Sequence, residues 1–352
     1  MKRMCLLLLN ELKLARTALP IHGVAIFQPV LLFLLMSLIL VHPTMEMKVA
    51  TTQSGSENEL IRAMKTVGSP IGLPYINAIP VDSVQLEHPA QIIRLEERDG
   101  HPVVVQEYGL IDSNKVKNLR NRLTAAALRL WDDSLGSRKI IIDEYPWLPQ
   151  DMPYTIYFGM AMLSFTAFLA AAIVGGILTA QDFEFHTILE YRLSPVAAGV
   201  VLAARLTRLA LTGLLSANLL LLVIGLLTGQ WPSSVLRLEL ALLGIAVVGG
   251  CTGMAAGLLL QRSIPAYQAA LVISLACWML GGAFDLPASF GGWYEMVSRL
   301  VPHAHATELL FASYYGKFIG DPVISSIALL VISLLVMAAT TVLYQQRVLK
   351  QE

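Results

Sequence analysis

The stretch YFGMAMLSFTAFLAAAIVGGILTA, residues 157–180, contains no charged residue, and it decides the class of fold. A helix of about 20 apolar residues is long enough to cross the hydrocarbon core of a bilayer. The whole chain agrees, because 55% of its 352 residues are hydrophobic, 14% are charged and the mean hydropathy is +0.63. Soluble domains carry roughly 25% charged residues. The sequence therefore predicts a membrane protein.

Five further apolar segments predict a polytopic α-helical protein with six transmembrane helices. The first crossing is assigned to residues 21–45, and the other five fall within residues 153–352. Between them, residues 46–152 are more polar and predict a separate domain. The six apolar segments are residues 23–41, 157–180, 197–229, 240–260, 264–284 and 322–346.

Basic residues predict the orientation, since short cytoplasmic loops and ends are enriched in Lys and Arg. With six crossings, the basic positions next to the apolar segments all fall on one face. Both termini are therefore expected in the cytoplasm and residues 46–152 outside it, in a multi-pass protein of the cell (inner) membrane. Arg205 and Arg208, near the start of the third segment, are expected to extend to the cytoplasmic interface. The basic positions are Lys2, Arg3, Lys13, Arg16, Arg192, Arg262, Arg347 and Lys350.

Residues 1–20 predict a helix lying in the cytoplasmic interface, because leucines share one face among basic residues. An extended first transmembrane helix is the alternative. Residues 46–152 predict a small α+β domain. Two β-rich runs around Asp99-Gly100 predict a hairpin, the apolar spacing in residues 112–131 predicts a helix, and residues 139–145 predict a last strand.

The segment QDFEFHTILEYRLSPV, residues 181–196, carries most of the charge between the second and third apolar segments. Its spacing predicts an amphipathic helix over residues 181–194. One face, expected to pack on the bundle, holds Phe185, Ile188, Leu189 and Leu193. The other, expected to face water, holds Glu184, Thr187, Glu190 and Tyr191. An ordinary solvated loop is the alternative.

The same segment resembles the cytoplasmic signature of type-2 ABC exporter permeases. In that signature two acidic residues precede a Gly-Thr pair, and a Thr/Ser-Pro pair follows. His186 stands where glycine is usual. The positions that match are the acids Asp182 and Glu184, then Thr187, a later acid at Glu190, and the pair Ser194 and Pro195.

The resemblance extends to residues 285–310, which are similar to the re-entrant segment of the same family. The matching positions there are Pro287, Pro302 and Glu308, with Asp285 beside them as part of a gate region. From the residues alone, without the family resemblance, a gate is one interpretation of Asp285 and Glu308, but carboxylates that reach the water at the lipid headgroups are the favoured one. His303 and His305 lie two apart, but no third ligand is near, so they are interpreted as loop residues rather than a metal site.

The resemblance also covers the order of the segments, which matches the subgroup with a large extracytoplasmic domain between transmembrane helices 1 and 2. It implies a transport subunit without catalytic residues, paired with a second permease subunit, identical or related, and with cytoplasmic ABC ATPase subunits. The helix at residues 181–194 would then lie in a cleft of the ATPase. ATP and Mg²⁺ belong to that partner, because this chain lacks the G-x-x-x-x-G-K-[ST] loop that holds ATP phosphates.

Two other classes of protein make different demands on the sequence. A self-sufficient secondary transporter or channel would need ionisable residues in the middle of its apolar segments or internal repeats, and an intramembrane enzyme would need a catalytic set at membrane depth. The sequence shows neither pattern, apart from Arg205 and Arg208 near the cytoplasmic end of the third segment. The formal net charge of zero gives no electrostatic reason to expect nucleic acid. Glycines between Gly249 and Gly257 predict a close helix contact, either within the subunit or between two subunits.

Overall fold

The computed structural model divides the chain into two compact units, which are described separately below. One unit comprises Met1–Leu40 and Met152–Glu352, and the other Val41–Asp151. The structure describes residues 18–40, 47–51, 76–80, 91–98, 101–108, 124–126, 154–193, 197–283, 292–316 and 321–349, together with Leu9, Glu11, Lys13, Arg62 and Leu128.

Within the described residues, six helices are long and apolar enough to cross a membrane. This confirms the prediction of an α-helical polytopic membrane protein. The boundaries shift by a few residues, most of all for the fourth segment, whose helix begins five residues earlier than expected. The six helices are α1 (Leu19–Leu40), α2 (Tyr154–Glu184), α4 (Ala198–Thr228), α5 (Val235–Leu260), α6 (Ser263–Leu280) and α9 (Pro322–Tyr344).

The remaining described helices are short. They do not reach the length needed to cross a bilayer on their own. A single π-helical turn, Gln345–Leu349, extends the end of α9. The short helices are α3 (Ile188–Leu193), α7 (Gly292–Ser298) and α8 (Pro302–Tyr315).

Helix α2 is the centre of the bundle. In an apolar stretch of 18 residues in α2, 89% of the residues are buried, whereas 17% to 28% are buried in the corresponding stretches of α1, α6 and the helix that begins at Pro322. Helix α2 packs against α1, α4, α5, α6 and α8. Because α2 is surrounded by other helices, its sequence is apolar on every side, which is why it contains the longest uncharged run.

Three glycines of α5, spaced four apart, allow that helix to approach α2 closely; they form the glycine seam (Gly249, Gly253, Gly257). A Cβ at Gly249 would lie 2.8 Å from the Cα of Phe168, and one at Gly253 would lie 2.7 Å from the Cα of Ala172. Small residues at this spacing let two helix backbones touch. The close helix contact predicted here is therefore formed within the subunit.

Helix α8 is short and almost entirely inside the bundle. It has 14 residues, of which 12 are buried, and at 1.5 Å per residue it is about 21 Å long. It contacts α2, α5, α6 and α9. Residues 284–291 lie outside the described residues, so the re-entrant path expected for residues 285–310 stays a prediction.

The second unit contains a four-stranded sheet in the order β2-β1-β3-β4. β1 is parallel to both β2 and β3, and β3 is antiparallel to β4 with Arg98 opposite His101. This register confirms the predicted pairing around Asp99-Gly100. Residues 139–145 and most of the predicted helix at 112–131 lie outside the described residues, so the α+β assignment stays a prediction. The strands are β1 (Met47–Thr51), β2 (Ile76–Pro80), β3 (Gln91–Arg98) and β4 (His101–Tyr108).

Candidate functional site

The segment that follows α2, residues 185–193, is called the connecting segment because it leads from α2 towards α4. The structure corrects the boundary predicted for its helix. Residues 181–184 belong to α2, the chain then turns, and α3 begins only at Ile188. His186 forms the turn with a φ of +57°. A left-handed φ favours glycine over other residues, which gives a physical reason for the glycine usual at this position in the family signature.

The apolar side chains of the connecting segment do not pack on the bundle as predicted. Ile188 is buried at 7% exposure, but the other three form an exposed apolar triad. Because the chain turns at His186, Phe185 leaves the face that a continuous helix would have given it. The apolar triad is Phe185 (69% exposed), Leu189 (50%) and Leu193 (85%).

Asp182, at the end of α2, points into the bundle rather than towards water. Its Oδ2 atom lies 2.6 Å from Nη2 of Arg205 on α4, an ion pair without the alignment of a hydrogen bond. Its Oδ1 atom accepts a hydrogen bond of 3.1 Å from the hydroxyl of Thr187. Asp182 is 9% exposed. It therefore joins the connecting segment to α4.

Arg208 lies three residues after Arg205, and it forms an ion pair with Glu11. Its Nη1 atom donates to Oε2 of Glu11 at 3.0 Å. Oε1 of the same carboxylate lies 3.8 Å from Nε of Arg205. Both arginines are at most 9% exposed, so they pair with acids instead of extending to water as predicted. These residues are called the four-charge cluster (Glu11, Asp182, Arg205, Arg208).

His22 of α1 extends the same network towards the middle of the bundle. Arg208 Nη2 lies 2.9 Å from Nε2 of His22. Arginine has no acceptor atom, so Nε2 must accept and the proton must sit on Nδ1. Nδ1 can then donate to the hydroxyl of Thr212, 3.2 Å away, and that hydroxyl donates to the Arg208 carbonyl at 3.0 Å. Each step has a matching donor and acceptor, so α1 is fixed to α4.

A cavity of about 320 Å³ adjoins the four-charge cluster, and all four charged residues line it. Its other walls come from α2 (including Gly175 and Leu178), from Met254 of α5 and from Phe185 and Thr187 of the connecting segment. Since a water molecule occupies about 30 Å³, this volume is enough for several waters and gives the charged side chains room to move.

Glu184 binds the start of α6. Oε1 accepts the Ser263 backbone N–H at 2.8 Å, and Oε2 accepts the Ser263 hydroxyl at 2.5 Å. The first N–H groups of a helix have no partner inside it, and the N-terminal end of the helix dipole favours a negative charge. Glu184 thus joins the end of α2, from which the connecting segment leads, to a third transmembrane helix, α6. In this conformation its carboxylate is occupied within the subunit.

The remaining predicted site residues are not brought to this cluster. Glu190 is exposed on α3. Pro302 is at the first turn of α8, and Glu308 accepts a hydrogen bond from the Ser325 hydroxyl of α9, so it is bonded within the bundle. Ser194, Pro195, Asp285 and Pro287 lie outside the described residues.

The interpretation of His303 and His305 as loop residues is wrong, because both belong to the first turn of α8. His303 is completely buried, its ring packs 4.8 Å from that of Phe168, and neither ring nitrogen has a hydrogen-bond partner among the described residues. His305 Nε2 donates to the carbonyl of Arg299 at 2.8 Å. Within the described part of the chain, no three His, Cys, Asp or Glu side chains come together as metal ligands would.

The unpaired ring of His303 leads to a prediction. His303→Leu should raise the midpoint of thermal unfolding, because it removes a buried polar group whose burial costs about 1–3 kcal/mol when it is unpaired. The matched control is His305→Leu, which breaks the hydrogen bond to Arg299 and should lower the midpoint. The measurement is thermal unfolding in detergent. If His303→Leu is the destabilising variant, His303 has a partner and this account is wrong.

Sequence reasoning missed Glu11, His22 and Ser263 as members of the site. One signal was present: two arginines, one turn apart, inside an apolar segment require counter-charges. Asp182 and Glu11 are acids close in sequence to the ends of neighbouring transmembrane helices. The pairing with Ser263 had no sequence signal, since serine at the start of a helix is common.

Together, the bundle and the charged cluster define an α-helical polytopic membrane protein whose connecting segment is tied to several helices. No protein-family model and no curated protein sequence matches this chain.

Proposed function

We propose that this chain is the permease subunit of an ATP-driven ABC export system. One observation carries the proposal: the connecting segment presents an exposed apolar triad, while polar side chains at the end of α2 and at the start of this segment bind one another and two further helices. Asp182 binds α4, Thr187 binds Asp182 at the end of α2, and Glu184 binds α6. A segment built in this way can take up a force on its outer surface and pass it to several transmembrane helices.

The exposed triad supports docking to a protein partner. Burying a Phe or Leu side chain contributes about 1.5–3 kcal/mol, so a protein partner that covers these three side chains would gain binding free energy from each of them. The family resemblance identifies the partner as a cytoplasmic ABC ATPase subunit. This assigns docking to the triad and Glu190, with Asp182 and Glu184 transmitting the movement inside the subunit.

The proposed mechanism is alternating access. A second permease subunit, identical or related, completes the transport path, and ATP with Mg²⁺ is bound by the ATPase. Closure of the ATPase dimer would move the connecting segments, shift the permease halves as rigid bodies and open the path outward.

The basic residues near the helix ends favour cytoplasmic termini in the cell (inner) membrane, with residues 46–152 as an extracytoplasmic α+β domain. Asp285, Pro287, Pro302 and Glu308 are assigned to the gate region, and Ser194 and Pro195 to the end of the coupling helix.

The docking assignment is tested by changing the apolar triad. Phe185→Ser, Leu189→Ser and Leu193→Ser combined should weaken ATPase binding at least tenfold, because a loss of about 1.4 kcal/mol already has that effect. The thermal unfolding midpoint should hardly change, since all three side chains are exposed. The experiment purifies the tagged chain from its native membranes, identifies co-purifying proteins that carry a P-loop sequence, and measures ATP hydrolysis by the complex.

Leu226→Ser is the matched control, because it removes a leucine that is 73% exposed near the end of α4, outside the connecting segment. The wild type and Leu226→Ser should retain a P-loop ATPase and its hydrolysis, while the triple variant loses both. Equal ATPase recovery and activity with the triple variant would show that the triad is not the docking surface. A wild-type chain that transports without any ATPase would contradict the whole assignment.

A further inference from the structure

The four-charge cluster contains two positive and two negative side chains, and each arginine has its own nearest carboxylate. Arg205 lies 2.6 Å from Asp182, and Arg208 lies 3.0 Å from Glu11. The cluster is neutral only when both carboxylates are present. Buried charges require such compensation, because each ion has lost its hydration.

The cluster has room to rearrange. All four side chains line the same cavity of about 320 Å³, so each of them borders space into which it can turn. Arg208 also has an unused donor, since its Nε atom has no hydrogen-bond partner among the described residues. If Arg208 lost its carboxylate, the other carboxylate on this cavity is that of Asp182.

Asp182 in turn fixes the start of α3. Its carboxylate accepts the Thr187 hydroxyl, and the carbonyl of Thr187 accepts the N–H of Glu190 in the first turn of α3. A movement of Asp182 towards Arg208 would therefore pull on the residue from which the connecting segment's helix begins. Asp182 is therefore linked through Thr187 to the helix that carries Leu189 and Leu193 of the apolar triad.

We propose that Glu11 is a positioning residue for the connecting segment. By neutralising Arg208, it leaves Asp182 bound to Arg205 and holds α3 in its docking orientation. Glu11 thereby becomes a third part of the coupling device, besides α4 and the connecting segment. The importance of this role for transport rests on the proposed function; the effect of Glu11 on the connecting segment does not.

Glu11→Gln is the informative variant, because it keeps the shape of the side chain and removes its charge. Two buried arginines then compete for Asp182. Hydrogen–deuterium exchange of the purified chain in lipid nanodiscs should become about tenfold faster at the amides of Leu189 and Glu190, whose N–H groups are bonded within the connecting segment. Exchange in α8 should stay unchanged.

Three further variants complete the test. Glu11→Asp keeps the charge and should restore slow exchange. Glu11→Gln combined with Arg208→Gln should also restore it, because Arg205 and Asp182 again form a neutral pair. Glu239→Gln is the matched control. The Glu239 carboxylate lies outside the cluster and accepts a hydrogen bond of 3.3 Å from Asn218 of the neighbouring helix. In this variant, exchange in residues 185–193 should match that of the wild type.

The second readout is the ATP hydrolysis of the co-purified ATPase, which should fall in Glu11→Gln and recover in Glu11→Asp. If Glu11 has a purely structural role, Glu11→Gln should lower the unfolding midpoint and speed exchange throughout the bundle, and that outcome overturns the proposal. Exchange rates in Glu11→Gln equal to those of the wild type also overturn it. If the wild type binds no ATPase while Glu11→Gln still speeds exchange locally, the proposed function fails and the positioning role stands.

Should Glu11→Gln not yield folded protein, Arg208→Gln supplies the comparison. It leaves Asp182 paired with Arg205, so fast exchange in that variant contradicts the proposal.

Discussion

Gly253→Leu is expected to abolish the folded protein. A Cβ at this position would overlap the carbonyl oxygen of Ala172 and lie 2.7 Å from its Cα. Both atoms belong to the backbone of α2, so no side-chain rotation can make room, and α5 and α2 would have to separate along the glycine seam. Overpacking a core costs about 1–3 kcal/mol when side chains can adjust, and more is expected where a backbone must move. Protein stability is only about 5–15 kcal/mol in total.

Gly23→Leu is the matched control. Gly23 also lies in a transmembrane helix, α1, but a Cβ there meets no atom of the described residues within 4 Å. This variant should express, elute as a single species in size-exclusion chromatography and unfold near the wild-type temperature, whereas Gly253→Leu should aggregate or fail to accumulate. A Gly253→Leu protein with the wild-type elution and unfolding midpoint would mean that α2 and α5 do not touch at Gly253.

The transmembrane helices could be predicted because their signal is local. An apolar run of 18 or more residues has few alternatives in a bilayer, where each backbone polar group must be bonded inside the helix. Residues 157–180 therefore indicated α2 directly, and the same reasoning gave the other five. The spacing of Gly249, Gly253 and Gly257 also predicted a close contact, although only the structure identifies α2 as the neighbour.

The connecting segment shows where periodicity stops being informative. Over residues 181–194 the sequence fits one amphipathic helix, yet the structure has the end of α2, a turn at His186 and then α3. A helical period tells which side chains share a face, but not whether that face is covered when the helix lies at the end of a bundle. Three of the four apolar side chains expected inside are exposed, and Asp182, which the family resemblance assigns to the coupling helix, is buried at the end of α2.

The charged cluster could be predicted only in part, for a different reason. Arg205 and Arg208 are conspicuous within an apolar segment, but Glu11 is 197 residues from Arg208 in the sequence. Nothing local links them. Snorkelling to water and pairing with a buried acid both satisfy an arginine near a helix end, and the choice depends on which segment packs beside α4.

Arg205→Met should be the most damaging change of a charged residue. It removes the guanidinium next to Asp182 and leaves a buried carboxylate whose nearest remaining polar contact is the Thr187 hydroxyl. Breaking a buried ion pair by removing one partner costs about 3–5 kcal/mol. The unfolding midpoint should fall sharply, and the drop should persist in high salt, because buried pairs are only weakly screened.

The double variant Arg205→Met with Asp182→Leu separates stability from coupling. Replacing both ions with apolar side chains removes the unpaired charge, and such replacements are often neutral or stabilising. The midpoint should therefore recover most of the loss. The connecting segment, however, has lost its link to α4, so stimulation of ATP hydrolysis in the proposed ATPase partner should stay low. If the double variant has an unfolding midpoint no higher than that of Arg205→Met, the two residues are not a pair. If a stable double variant still stimulates the proposed ATPase partner fully, movement reaches the bundle by another route, and the Glu184–Ser263 contact is the nearest such route.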